Sequence, residues 1–118
     1  MSGIDELQES LRAFAKARNW GKFHTPKNLG MALAGEVGEL LAEMQWISDE
    51  EFPQALDGGL RERVADEVAD VLIYLLYLTD QLGIDPIDAA RDKLIRNNSR
   101  YPVEESFESA VKYSDRGD

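Results

Sequence analysis

Ile4, Leu7, Leu11 and Phe14 recur at intervals of three and four residues, which lays them along one face of a helix running from about Ile4 to Arg18. A polar and aromatic connection, Asn19 to Asn28, follows. Within it Thr25 and Pro26 have the types favoured at a helix cap and first position, and they predict a second helix that ends near Ile47. Ser48 to Gly59 contains Pro53 and the pair Gly58-Gly59 among acidic residues and reads as a loop. A third helix spans Leu60 to Leu82 with Gly83 as its stop, and a fourth starts at Asp85-Pro86 and runs to about Asn98. No segment sustains polar/apolar alternation, so the expected fold class is all-α, a four-helix bundle protomer occupying residues 1–102. The polar stretch Val103 to Asp118 is expected to be a mobile tail or to lie on a partner.

The third helix changes the picture at the level of assembly. Val71 to Leu78 is apolar or aromatic in every direction around the axis, and such a helix needs cover on all sides. Four short helices cannot supply that cover, so a homo-oligomer, dimer or tetramer, is expected. The same run is too short to cross a bilayer, and no basic segment followed by an apolar stretch opens the chain, so the expected location is the cytoplasm with no membrane partner.

The chain has 118 residues, 43% hydrophobic and 31% charged, which suits one folded domain. It has no cysteine, and disulfides, thiolate metal sites and a cysteine nucleophile are thereby excluded. A formal net charge of −10 disfavours DNA or RNA as partner. A small phosphorylated ligand stays compatible with that charge if a divalent cation stands between its phosphates and the protein.

The most informative positions are Glu36 and Glu39 on the second helix and Glu67 and Asp70 on the third, each pair three residues apart and so on one face. Leu29, Ala32, Leu33, Val37, Leu40 and Met44 form the apolar stripe of the second helix, and Glu36 falls inside it, with Glu39 and Glu43 at the edge. On the third helix Leu60, Val64, Val71, Leu75 and Leu78 define the stripe; Glu67 lies within it and Asp70 and Tyr74 along one margin. Acids turned inward repel one another and resist desolvation, so something cationic must compensate: a Lys or Arg partner, shared protons, or a metal ion. Bases within the stripes are few, and four oxygen-bearing side chains match the hard ligand set of Mg²⁺ or Mn²⁺. A lone Glu-x-x-Glu is ordinarily a solvated helix face; two such pairs intruding on apolar stripes are not. A di-iron carboxylate bundle wants Glu-x-x-His motifs, and the single histidine, His24, sits in a connection.

At these residues the sequence resembles the MazG-like all-α nucleoside triphosphate pyrophosphatases, and within them the dCTP pyrophosphatase branch. The resembling segments are Arg18-Asn19-Trp20 to Phe23-His24, Pro26 to Leu29, Gly35 to Leu40 with Gln45-Trp46, Asp70 to Leu75, and Lys93, Asn97 and Arg100-Tyr101-Pro102. The resemblance implies cleavage of a (deoxy)nucleoside triphosphate between its α and β phosphates, giving monophosphate and pyrophosphate. It places Glu36, Glu39, Glu67 and Asp70 on metal-ligand positions, with Mg²⁺ as cofactor and Mn²⁺ as a substitute. Glu36, the most buried by pattern, is the expected general base.

Trp20 and Trp46, the two tryptophans, are candidate stacking surfaces for the nucleobase, a contact worth about 1–3 kcal/mol, although tryptophan is also a common core residue. The resemblance puts His24 near the substrate, and Tyr74, one turn beyond Asp70, is within helical reach of sugar or base. Lys93, Asn97 and Arg100, at spacings of four and three near the end of the fourth helix, share a face; scattered bases are usually surface solubilisers, and it is the resemblance that implies a grip on the β and γ phosphates, with Tyr101 as contact or anchor. Two other readings compete: a non-catalytic acidic helical oligomer that binds a protein partner, and a relative acting on another phosphorylated metabolite.

Overall fold

A computed structural model describes residues 2–111 of the chain, and the described residues are helical without strands. In order these are α1 (Gly3–Ala17), α2 (Pro26–Met44), the single turn α3 (Phe52–Ala55), a kinked segment Leu56–Leu60, α4 (Arg61–Leu82), α5 (Pro86–Arg100) and the single turn α6 (Val103–Ser106). The chain forms two compact units, one up to Ile84 and one from Asp85. None of the helices is long and apolar enough to cross a membrane.

Local chemistry sets the helix ends. Ser2 and Asp5 close a reciprocal capping box on α1, and Thr25 Oγ1 accepts from the Asn28 amide at 3.3 Å with Pro26 in the first turn of α2. Asp85 Oδ1 accepts from the amides of Ile87 and Asp88, both at 3.0 Å, to open α5. The region 48–59 is more ordered than a loop: Ser48 and Glu51 exchange hydrogen bonds of 3.0 and 3.3 Å, and Pro53, harmless in a first turn, admits α3. The kink that follows rests on Gly59, at φ 107°, a conformation that strains any residue with a Cβ. α2 stops at Met44, short of Ile47, and α5 continues past Asn98 to Arg100. Of the polar stretch expected from Val103 onward, the first four residues form α6, and residues 112–118 lie outside the described part.

In the first unit α2 and α4 make the most extensive helix pair, and α1 packs on α4. The α2–α4 pair is antiparallel: Glu43 meets Arg63 at 3.0 Å, Glu36 faces Glu67 and Asp70, and Leu29 joins the core cluster of Tyr77, so the number on α4 rises as that on α2 falls. Ala15, Leu29 and Tyr77 form that cluster, with Leu11, Ile73, Tyr74 and Leu78 packed against it. Tyr77 donates to the Leu11 carbonyl at 3.2 Å, and Arg12 clamps Asp80 with a closest approach of 2.6 Å, both tying α1 to α4.

The buried face of α4 is rotated from the stripe read in the sequence. Leu76 and Tyr77 are buried while Leu75 is 38% exposed, and on α2 Val37 is 39% exposed. The rotation follows from α1, which packs on the Tyr77 side; periodicity alone could not choose a side of a helix that is apolar all round.

Candidate metal and nucleotide site

Glu36 and Glu67 each carry one oxygen, Oε2, that is sealed from solvent and lacks a hydrogen-bond partner among the described residues. Carboxylate oxygens of Glu36, Glu67 and Asp70 lie within 4.8 Å of one another. Opposite oxygens around a hard divalent cation stand about 4–5 Å apart, so the three can share one ion. Glu39 completes the acidic group: its carboxyl lies beside those of Glu36 and Glu67, close enough to act on both.

The electrostatics match this crowding. The hydrogen bond to Glu39, then desolvation, then the charges of Glu39, Asp70 and Glu67 push the Glu36 carboxyl up to about 7. Glu67 is raised as well, first by desolvation and then by the charge of Glu39. Arg63, four residues before Glu67 on α4, pairs with Glu43 at 3.0 Å. Two orphaned buried oxygens, an all-oxygen donor set and no basic partner fit a divalent cation, and no other group with three or more such donors occurs among the described residues.

One turn away on the same two helices is a cavity of about 320 Å³ lined by Trp20, Phe23, His24, Asn28, Leu29, Ala32 and Tyr74. Ala32 precedes Glu36 by four residues on α2, and Tyr74 follows Asp70 by four on α4, so aromatic cavity and acids are consecutive along one helix pair. Trp20 reaches it through the end of α1. Asn19 adopts the left-handed conformation, φ 52°; its amide donates to Lys16 O at 3.1 Å, and that of Trp20 to Ala15 O at 3.0 Å. This pair of bonds is the Schellman ending, and asparagine is the non-glycine residue best suited to it. The rings then run Phe14, Trp20, His24, Tyr77, with centroid separations of 5.6, 6.1 and 4.4 Å.

Of the residues singled out in the sequence, the structure brings Glu36, Glu67 and Asp70 together with Glu39 beside them, and Trp20, His24 and Tyr74 around one cavity. Trp46 is 86% exposed beyond the end of α2 and does not line that cavity. Lys93, Asn97 and Arg100 lie on α5 and Tyr101 at its C-terminal cap, in the second unit. Phe23 and Asn28 line the cavity as well; the signal for them was their place beside Thr25-Pro26, where the connection turns into α2.

The MazG-like family pattern matches residues 32–115. The chain belongs to the MazG-like family. This MazG-like chain is 42% identical over 113 residues to dCTP pyrophosphatase 1 of Mus musculus, covering 95% of the chain and 66% of the mouse protein. It is 37% identical over 113 residues to dCTP pyrophosphatase 1 of Homo sapiens, with the same shares of both chains covered. It thus spans about two thirds of the length of these relatives. A crystal structure of a pyrophosphatase from Archaeoglobus fulgidus superposes with a TM-score of 0.81 at 43% identity, covering 86% of this MazG-like chain and 94% of the archaeal one.

Proposed function

We propose that the chain is a nucleoside triphosphate pyrophosphatase that takes dCTP or a modified dCTP to monophosphate and pyrophosphate, removing unwanted nucleotides from the pool. The reading rests chiefly on one observation: buried, unpaired oxygens of Glu36 and Glu67 beside Asp70, one turn from an aromatic cavity of about 320 Å³ on the same helix pair. The names of the mouse and archaeal relatives agree with it.

Glu36, Glu39, Glu67 and Asp70 are the proposed ligands of Mg²⁺, with Mn²⁺ as a substitute. When bound, such an ion offsets phosphate charge and polarises the phosphoryl oxygens. Glu36 is the proposed base: its Oε2 is buried and has no protein partner among the described residues, which leaves it free to accept a proton from a water. Trp20, His24 and Tyr74 would hold the base, with Trp46 as a further ring, and Lys93, Asn97, Arg100 and Tyr101 would meet the phosphate chain. The working form is a homo-oligomer, dimer or tetramer, in the cytoplasm.

Incubation with a panel of dNTPs and Mg²⁺, followed by chromatography, tests the reading. Monophosphate and pyrophosphate are expected in equal amounts; orthophosphate with diphosphate would refute the assigned bond.

A further inference from the structure

Asn28 lines the aromatic cavity, and its exposed side-chain amide is oriented by one hydrogen bond. Its Nδ2 donates to the backbone carbonyl of Phe23 at 3.2 Å. A carbonyl oxygen only accepts, and the nitrogen is the only end of an asparagine amide that donates, so the bond decides which way the amide lies. Oδ1 is left as the end without a protein partner among the described residues.

The backbone around this amide is held too. Asn28 is the third residue of α2, its N–H donates to Thr25 Oγ1 at 3.3 Å, and the next residue, Leu29, is fully buried. The accepting carbonyl is equally constrained, because the Phe23 amide donates to Trp20 O at 2.8 Å in the turn that carries the indole. Exchanging the two ends of the amide would break the bond to Phe23 and set two acceptor oxygens against each other.

On these grounds we infer that Asn28 is a specificity residue: its Oδ1, fixed as an acceptor, selects a base carrying an exocyclic amine, as cytosine does, over one presenting a keto oxygen there, as uracil and thymine do. The inference rests on the cavity being the base site of the proposed pyrophosphatase. Cytosine N4–H₂ donates to Oδ1, whereas the O4 of uracil meets it acceptor to acceptor. The other polar groups of the cavity do not substitute for it: the Trp20 indole only donates, and the Tyr74 hydroxyl and His24 imidazole can each present either a donor or an acceptor.

The test compares kcat/KM for dCTP and dUTP in the wild type and Asn28→Ala, alongside equilibrium binding of dCMP and dUMP by calorimetry. The wild type should prefer the cytosine nucleotide by roughly 10- to 100-fold in both measurements. Asn28→Ala should bring the ratio to within about threefold of unity. A purely structural role would lower both substrates alike and leave the ratio unchanged in Asn28→Ala, which would overturn the inference. Absence of any dNTP cleavage by the wild type would defeat the pyrophosphatase reading itself, whereas cleavage of dCTP and dUTP at equal rates would defeat only the role of Asn28.

Discussion

Glu36 gathers the strain of the site into one carboxyl. Its pKa is raised from an ordinary 4.5 to about 7 by the hydrogen bond to Glu39, by desolvation and by its acidic neighbours. A carboxyl raised in the folded state binds its proton more tightly than in the unfolded chain. Its stabilising contribution is therefore complete below about 4.5 and is lost as pH rises through about 7. Without divalent ions the melting temperature should fall between pH 5 and pH 8 in differential scanning calorimetry. Adding Mg²⁺ should reverse the trend, because an ion that binds the ionised ligands of the native state stabilises it by mass action. A metal-free protein whose melting temperature rose over that interval would contradict the account. Glu36→Gln should lower kcat by about 10²- to 10⁴-fold in the dNTP assay, the range for loss of a general base. The same variant should flatten the metal-free pH dependence of melting, which separates a loss of chemistry from a loss of fold.

At the scale of the element, the short segment before α4 does more than connect. Gly59, at φ 107°, turns the chain from α3 into α4, and four residues later Arg63 pairs with Glu43 at the far end of the α2–α4 contact. A Cβ at Gly59 would stand 3.3 Å from Arg63 Nη1 in addition to straining the backbone. Gly59→Ala should therefore cost about 1–2 kcal/mol, read as a drop in melting temperature of several degrees. Its effect on kcat should be smaller than its effect on stability, since Glu67 and Asp70 lie about two and three turns further along a helix that retains its own hydrogen bonds. The end of α1 works by the same logic. The left-handed Asn19 ends the helix and delivers Trp20 to the cavity, so a backbone conformation becomes a ring position.

For the whole molecule, the first unit leaves apolar surface uncovered on the helices that carry the acids. Leu72 and Leu75 of α4 are 37% and 38% exposed, Val68 is 49% exposed, and Leu41 of α2 is 57% exposed. Exposed aliphatic side chains on both helices of a pair are what a second copy of the chain would cover. Sedimentation at micromolar concentration should show a dimer or tetramer, and the double variant Leu72→Lys, Leu75→Lys should shift it towards monomer. A monomeric wild type would remove the proposal.

Much was legible in the residues in order. Spacings of three and four mark the long helices, Thr25-Pro26 and Asp85-Pro86 mark two starts, and Glu36, Glu39, Glu67 and Asp70 stand out as acids among apolar positions. These are local properties, set by 3.6 residues per turn and by which side chains can satisfy a helix end. Tertiary structure decided what depends on the rotation and register of one helix against another. It chose the Tyr77 side of α4 as the core and drew Glu36, Glu67 and Asp70 within 4.8 Å. It also put Trp20 on the cavity while Trp46 stayed 86% exposed. Periodicity names the faces of a helix, but packing alone determines which faces meet, and the direction of the Asn28 amide was decided there, by a carbonyl that can only accept.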